Sequence, residues 1–313
     1  MKISVVMALY NGREYLLEQL NSIKEQDHRI DELIICDDCS TNPCDDIIDK
    51  FQKDCGFKIN YIKNAENLGY AQNFFKVLFL SNGDWVFLAD QDDIWEKNKV
   101  SSVLSFVDNC EDVWCVSSLS TIIDAEGIER RREKRLDGMF EKVVVEDLIR
   151  QTKLRAGMTL AVSRQLISEL KNWNTGVYTE HDRLIECVAC LNQGFYLLNK
   201  YLVQYRIHST NTSGSINLTY KLMSDKAGRI KQIDKEMRYL RNLLQENVVK
   251  ENDSICESIN KYLLYYGRRK ERLAEGRIRK YLFDLPFFSR LSNSRRILLG
   301  DLMSMIQEKY KAQ

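Results

Sequence analysis

This 313-residue sequence predicts an α/β fold: a mostly parallel sheet flanked by helices, followed by a helical C-terminal region. Three observations carry the prediction. Short, uniformly apolar runs recur through the first 120 residues, segments with helical spacing separate them, and strand-like runs stop after Leu218. Alternation of buried strand and amphipathic helix is the pattern of a parallel sheet with helices on both faces.

The elements follow in order. "ISVVMA" (Ile3 to Ala8), "ELIICD" (Glu32 to Asp37), "FKINYI" (Phe57 to Ile62), "WVFLAD" (Trp85 to Asp90) and "VWCVSS" (Val113 to Ser118) are too short and too apolar for surface helices and read as buried strands. Between them Tyr15, Leu16, Leu20 and Ile23 share one helical face, as do Ile47, Ile48 and Phe51, and then Phe74, Phe75, Leu78 and Phe79. "IERRREKR" (Ile128 to Arg135) is a charge run without apolar period and reads as an exposed loop or hairpin. "AGMTLAVSR" (Ala156 to Arg164) reads as a strand entering a helix, "HDRLIECVACL" (His181 to Leu191) as an amphipathic helix and "YLVQYRIH" (Tyr201 to His208) as a strand. "STNTSGS" then breaks the pattern. Ile230, Ile233, Met237, Leu240 and Leu244 keep helical spacing beyond it, so a boundary is expected near residue 218, between an α/β domain of residues 1–218 and a helical region of residues 219–313.

An apolar share of 44% and a charged share of 29% exclude a disordered chain. No run approaches the roughly 20 apolar residues that a membrane-spanning helix needs, and "MKISVVMALYNG" lacks the ordered regions of a signal peptide, so a cytoplasmic protein is expected. Nine scattered cysteines fit reduced thiols better than a disulfide framework. The formal net charge of +1 hides an asymmetry: from Tyr220 onward Lys and Arg outnumber Asp and Glu 21 to 12, while in residues 1–219 the acids lead 33 to 25.

Ligands of such sheets bind beyond the carboxyl ends of the strands. The polar residues there are Tyr10 and Asn11, Asp37 and Asp38, Asn64 to Gly69, and Asp90, Asp92 and Asp93 of "DQDDIW". Three carboxylates within four residues repel one another and need compensation by cations, helix amides or metal. Asp92 or Asp93 could cap a helix entering "IWEKNKVSSVL", with Glu96 in its first turn. A cap explains one aspartate. A divalent cation explains the rest, because Mg²⁺ or Mn²⁺ prefers hard oxygen ligands and is commonly shared between carboxylates and substrate phosphates.

"ALYNG", "DDCSTN", "NLGYAQNF", "DQDDIW" and "EHDRLI" stand in the order and at about the spacing of the inverting family 2 glycosyltransferases, which the chain resembles from Met1 to about Ser215. "DQDDIW" and "YRIHSTN" resemble their rhamnosyltransferase-type branch. The resemblance implies the GT-A fold, a Rossmann-like sheet that binds nucleotide-diphospho-sugars, and a Mg²⁺ or Mn²⁺ cofactor. It implies that Asp38 accepts a hydrogen bond from the imide of a pyrimidine base between walls made by Ala8 and Tyr10, and that Asn67, Gly69 and Asn73 border the nucleotide. Gly69, lacking a Cβ, would allow close backbone approach. Asp92 would hold the metal, Asp90 the ribose or a metal-bound water, and Asp182 would be the base that deprotonates the acceptor hydroxyl, with Glu180 as runner-up and a helix cap as the plain alternative for Asp182. His208 reads either as a second metal ligand or as a structural residue, and Trp95 as core or as a sugar platform. Asp93, Glu180 and His181 complete the acceptor and sugar side.

The donor implied is dTDP- or UDP-linked, with rhamnose as the branch's sugar, and the acceptor a glycan or lipid-linked saccharide of bacterial-type surface polysaccharide. Two competing readings are a nucleotidyltransferase, for which "ALYNGREY" offers only one glycine and one arginine, and a catalytically inactive binding module, against which no aspartate of "DQDD" or "EHD" is missing. "CDDC" (Cys36 to Cys39) and "CVAC" (Cys187 to Cys190) have zinc-site spacing, but Cys36 falls in a strand, Cys187 and Cys190 share a buried-looking helical face, and Cys39 takes a position that is commonly glycine in the family. The basic, aromatic tail, with "YLLYYGRRKERL" and "YLFDLPFFSRL", suits peripheral membrane contact at the inner face of the cell membrane or homo-oligomerisation; no nucleic-acid partner is expected.

Overall fold

The computed structural model describes residues 1–208, 225–292 and 294–311. They form two compact units, the first comprising Met1–Val144 and Leu154–His208, the second Val145–Lys153 and the helices from Lys226 on. The excursion at Val145–Lys153 has no counterpart in the sequence pattern. The expected boundary near 218 and the "STNTSGS" break lie outside the described residues.

The first unit is built on ten strands: β1 (Ile3–Leu9), β2 (Glu32–Asp37), β3 (Lys58–Lys63), β4 (Trp85–Ala89), β5 (Ile94–Trp95), β6 (Cys115–Ile123), β7 (Glu129–Arg132), β8 (Phe140–Lys142), β9 (Leu160–Ser163) and β10 (Phe195–Arg206). Their order is β3-β2-β1-β4-β9-β6-β10-β5, with β7 on the edge of β6 and β8 on β10. The half from β3 to β4 is parallel, as expected of strands buried on both faces. The other half is mixed, because the short β9 enters antiparallel between β4 and β6. Inserting β9 leaves β6 running in the same direction as β4, so β1, β2, β4, β6 and the parallel β10 all deliver their carboxyl ends to one rim.

Helices α1 (Leu16–Lys24), α2 (Asp45–Phe51), α3 (Tyr70–Leu80), α4 (Lys99–Val107), α6 (Arg164–Leu170) and α7 (His181–Leu191) cover the sheet, while α5 (Val145–Ile149) belongs to the second unit. Ile3, Val5, Leu16, Leu20, Leu33, Ile35, Phe87, Trp95 and Val103 share one core cluster, which is why the uniform apolar runs fold as strands. β3 departs from expectation: as an edge strand it alternates exposed and half-buried residues rather than being buried throughout. The charge run is the exposed β7, hairpinned onto β6, with all four residues in solvent.

The second unit packs α8 (Lys226–Leu243), α9 (Asn247–Lys250), α10 (Asp253–Glu275), α11 (Ile278–Leu291) and α12 (Arg295–Lys311) around Leu240, Tyr265, Leu273, Tyr281, Phe288 and Leu298. Asp225 caps α8 by accepting the Gly228 N–H at 2.8 Å, and α10 stops at Gly276, whose φ of +63° is the left-handed turn that ends many helices. At its centre Asp301, 0% exposed, accepts from Arg229, from both Nε and NH2 of Arg269 and from the Tyr281 hydroxyl at 2.5 to 3.0 Å. Among the described residues no helix is long and apolar enough to cross a membrane.

Candidate active site

The rim of the first unit collects loops from β1, β2, β3, β4 and β10 together with the start of α7. At the end of β4 the backbone turns sharply, and Asp90, Asp92 and Asp93 bring one carboxylate oxygen each to within 4.8 Å of one another. They do not cap a helix: Ile94 and Trp95 pair with β10, and α4 begins only at Lys99, after Asn98, whose side chain makes no cap bond. The helix-cap reading of Asp92 or Asp93 is therefore wrong. β5 takes those residues into the sheet instead.

Asp93 is 0% exposed. Its Oδ1 accepts the Arg206 N–H at 2.9 Å, whereas Oδ2 has no hydrogen-bond partner. An orphaned buried carboxylate oxygen costs on the order of 1 to 3 kcal/mol or more. Burial and then Asp92 and Asp90 push Asp93 well above the usual carboxylate range, and burial, Asp92 and Asp182 push Asp90 up to about 7. Such a cluster could hold a hard divalent cation, and three close carboxylates, one of them with an unsatisfied oxygen, are the donor chemistry that Mg²⁺ or Mn²⁺ requires. This places Asp93 with the acid cluster rather than on the acceptor side expected for it. His208 Nε2 lies 2.8 Å from Asp92 Oδ2, so the two residues read as metal ligands meet across 116 positions of sequence. The His208 ring rests 4.9 Å from the Tyr15 ring, centroid to centroid.

Two buried cations that the sequence did not single out lie at this loop, and one of them, Arg206, braces it. Arg206 is 1% exposed; besides its N–H on Asp93, its Nε donates to Asp92 C=O at 2.9 Å, NH1 to Ala125 C=O at 2.9 Å and NH2 to Glu18 at 2.5 Å, and its guanidinium sits 4.6 Å over the Tyr15 ring. Lys99, also 1% exposed, donates to Met158 C=O at 2.6 Å and sits 3.8 Å over the Trp95 ring. Burial lowers Lys99 well below an ordinary lysine, while Asp93 and Asp90 pull it back up. A signal existed for Lys99: it stands one helical turn before Val103 on the buried face of α4. Trp95 is 3% exposed and belongs to the core with Phe87, so it is not a sugar platform; pairing with β10 turns the indole inward.

The side of the rim expected to take the nucleotide is built by buried amides. Asp38, 2% exposed, accepts Asn64 Nδ2 at 2.7 Å and the Leu68 and Gly69 N–H groups at 2.8 Å each. Its carboxylate thus holds the loop before α3 rather than standing open to a base. Asn73 is 0% exposed and bonded to Cys36 C=O and Asn64, so it ties α3 to β2 and does not border a ligand. Asn67 is exposed and donates to Asp38 C=O, and Tyr10 is 48% exposed beside the half-buried Ala8. Gly69 is needed for a φ of +79° rather than for space, because a Cβ there would meet nothing within 4 Å. Cys39, at φ +63°, stands in a left-handed turn that glycine adopts more readily. Cys36, Cys39, Cys187 and Cys190 are free thiols, and among the described residues the acid cluster is the grouping able to hold a metal.

Across the rim Asp182 occupies the first turn of α7. It is half-buried; burial, then Glu180, push its pKa up to about 6 against one N–H bond from Arg183 at 2.8 Å. The N-cap position belongs to Glu180, which makes no side-chain cap bond and lies 3.5 Å from Arg183 NH1. Asp182 is near enough for its charge to raise Asp90, so the expected base and the acid cluster are neighbours. His181 turns the other way. It is 4% exposed, stacked 4.0 Å from the Phe74 ring with neither ring nitrogen hydrogen-bonded, and burial lowers its pKa to about 3, so it is a neutral packing residue and not an acceptor contact.

A sheet of this order with an acidic loop after its fourth strand marks a glycosyltransferase of the GT-A fold. Residues 4–190 match Glycosyl transferase family 2, and the chain belongs to that family. It is 27% identical over 218 residues to the putative teichuronic acid biosynthesis glycosyltransferase TuaG of Bacillus subtilis, covering 68% of this chain and 82% of that protein. It is 26% identical over 262 residues to the dTDP-rhamnosyl transferase RfbG of Shigella flexneri, covering 77% and 85%. Among solved structures, S. aureus TarS 1-349 in complex with UDP-GlcNAc superposes with a TM-score of 0.63 at 18% identity, covering 100% of this chain and 83% of that one. The mannosyltransferase PcManGT from Pyrobaculum calidifontis, in complex with GDP-Man and Mn²⁺, gives 0.55 at 14% identity, covering 98% and 88%.

Proposed function

We infer that the protein is an inverting, metal-assisted glycosyltransferase that moves a sugar from a dTDP- or UDP-linked donor to a glycan or lipid-linked acceptor in surface polysaccharide synthesis. The observation that carries this reading is the acid cluster with its orphaned Asp93 oxygen, with Asp182 near enough for its charge to act on Asp90. Asp90, Asp92 and Asp93, with His208 against Asp92, would hold Mg²⁺ or Mn²⁺, which neutralises charge on a diphosphate leaving group.

The chain's own residues do the rest. Tyr10, Ala8 and the loop braced by Asp38 receive the nucleoside. Asp182, with its raised pKa, takes the proton from the acceptor hydroxyl as that oxygen bonds to the anomeric carbon. The bond from that carbon to the diphosphate oxygen breaks with its electron pair on the leaving group, so one displacement inverts the centre. Rhamnose is favoured by the relative named a dTDP-rhamnosyl transferase, and polysaccharide synthesis by TuaG.

The test is transfer or hydrolysis by purified protein against a panel of nucleotide sugars, each with Mn²⁺ and with excess EDTA. The reading expects turnover of a pyrimidine-linked sugar that EDTA removes. Turnover undiminished in EDTA would refute the metal's part, and absence of turnover and of binding across the panel would refute the donor class.

The second unit adds a peripheral membrane contact to the proposal. Phe283 is 85% exposed and Leu282 47%, flanked on α11 by exposed Arg279, Lys280 and Arg290. Basic side chains around exposed aromatics suit an anionic bilayer surface. Self-association through the same helices is the alternative outcome.

A further inference from the structure

The loops after β1 and β4 are tied by one side chain. Gln91 stands between Asp90 and Asp92, and its amide grips both polar atoms of the Tyr10 backbone: the Tyr10 N–H donates to Oε1 at 2.8 Å, and Nε2 donates to Tyr10 C=O at 3.0 Å. The amide then lies across the buried Gly12, where a Cβ would stand 2.3 Å from both Cδ and Oε1 of Gln91. Gly12 does not have a positive φ, so its backbone would accept alanine. Glycine there serves the amide and not the turn.

The connection runs on from Tyr10. Asn11, at φ +52°, donates its N–H to Ser40 Oγ at 2.8 Å, and its Oδ1 accepts from Thr41 N–H at 2.9 Å and Asn42 N–H at 3.3 Å. Ser40 N–H in turn donates to Asp37 at 2.8 Å. The rim after β1, β2 and β4 is thereby one hydrogen-bonded frame, with the acid cluster joined to the nucleoside side through Gln91. Fixing a glutamine costs side-chain entropy. Here a two-point grip on backbone and a glycine cleared of its Cβ oppose that cost.

We propose that Gln91 and Gly12 form a latch that fixes the acid-cluster loop against the nucleoside loop, so that the two ends of a nucleotide-diphosphate are received by one pre-shaped rim. Gln91 is a positioning residue: it reaches the donor through Tyr10 and the flanking aspartates, and the inference rests on the donor reading given above. Pre-shaping of this kind adds affinity by removing the ordering cost at binding.

The experiment measures binding of UDP and dTDP with Mn²⁺ by calorimetry, and kcat and KM for the accepted nucleotide sugar, on wild type, Gln91→Ala, Gly12→Ala and the double variant. Gln91→Ala deletes the grip, while Gly12→Ala displaces it sterically and leaves every polar group in place. Each single variant is expected to weaken nucleotide binding and raise KM about tenfold, the worth of two neutral hydrogen bonds, with kcat within about twofold. The double variant is expected to match the singles, since both remove the same latch. Folded variants that bind within twofold of wild type, penalties that add in the double variant, or a loss confined to kcat would each overturn the latch. Failure of wild type to bind any nucleotide-diphosphate would instead overturn the donor reading, and the latch's proposed purpose with it.

Discussion

Two buried aspartates, one in each unit, stand in opposite conditions. Asp301 lies among α8, α10, α11 and α12 with both oxygens satisfied by Arg229, Arg269 and Tyr281. Asp93 is as deeply buried, yet one oxygen has no partner and its nearest acidic neighbours, Asp92 and Asp90, repel it. A buried charge completed by its own protein holds helices together. A buried charge left incomplete keeps a place for something brought from outside.

The largest effects are expected at the incomplete site. Asp182→Asn should cut turnover by roughly 10² to 10⁴ while nucleotide affinity barely moves, which steady-state kinetics beside calorimetry will read. An equal collapse of donor binding would make Asp182 a ligand rather than a base.

The comparison itself is sharpened by a matched pair. Asp301→Ala should cost about 3 to 5 kcal/mol in urea denaturation, because it strands two buried guanidinium groups. Asp93→Asn should leave stability unchanged or slightly raised at neutral pH without metal, because it removes an uncompensated buried acid and keeps its shape. A comparable loss from both substitutions would erase the distinction between the two aspartates.

These two sites were unequally legible in the sequence. The strands β1, β2 and β4 and the helix α7 were legible because uniform apolar runs and a strong helical period leave little choice. The acidic loop was legible because charge at a strand's carboxyl end has few structural explanations. What escaped was direction. Asn73 and His181 were read as facing a ligand and Trp95 as either core or sugar platform, and each turns into the protein, because a sequence gives a residue's place on a loop or helix but not the side from which its neighbours arrive. Arg206 and Lys99 escaped for the converse reason: a cation within an apolar pattern reads as a solvated exception until its buried partners are known. The Asp301 cluster joins residues spread from Arg229 to Asp301 on four helices, and no local motif announces it.

A pH profile comes next in size. Asp182 must be ionised to accept a proton, and its folded pKa of about 6 lies above the usual carboxylate value, so kcat should fall below about pH 6, approaching tenfold per unit, and level off above it. A flat profile between pH 5 and 7 would remove Asp182 from the proton-transfer step. For stability the sign is the reverse: a carboxyl whose folded pKa is raised binds its proton more tightly when folded, so Asp182 contributes stability that is fully present below its unfolded value near 4 and lost as pH rises through about 6.

The smallest effect concerns the second unit's surface. Co-sedimentation with vesicles rich in anionic lipid should be stronger for the full chain than for its Phe283→Ser variant and should weaken as salt rises, each nearby Lys or Arg contributing about 1 kcal/mol at low ionic strength. Equal absence of both proteins from the lipid pellet would remove the membrane surface from the account. Altered self-association of Phe283→Ser would assign that face to a second copy.

In the function proposed here, a divalent cation completes the acid cluster. The most direct test is a Mn²⁺ titration followed by electron paramagnetic resonance, with UDP or dTDP present, on wild type and Asp92→Ala. The wild type is expected to take up one Mn²⁺ in a nucleotide-dependent manner, and the folded variant none at comparable concentration. Uptake that is identical in the two proteins, or absent from both, would contradict it.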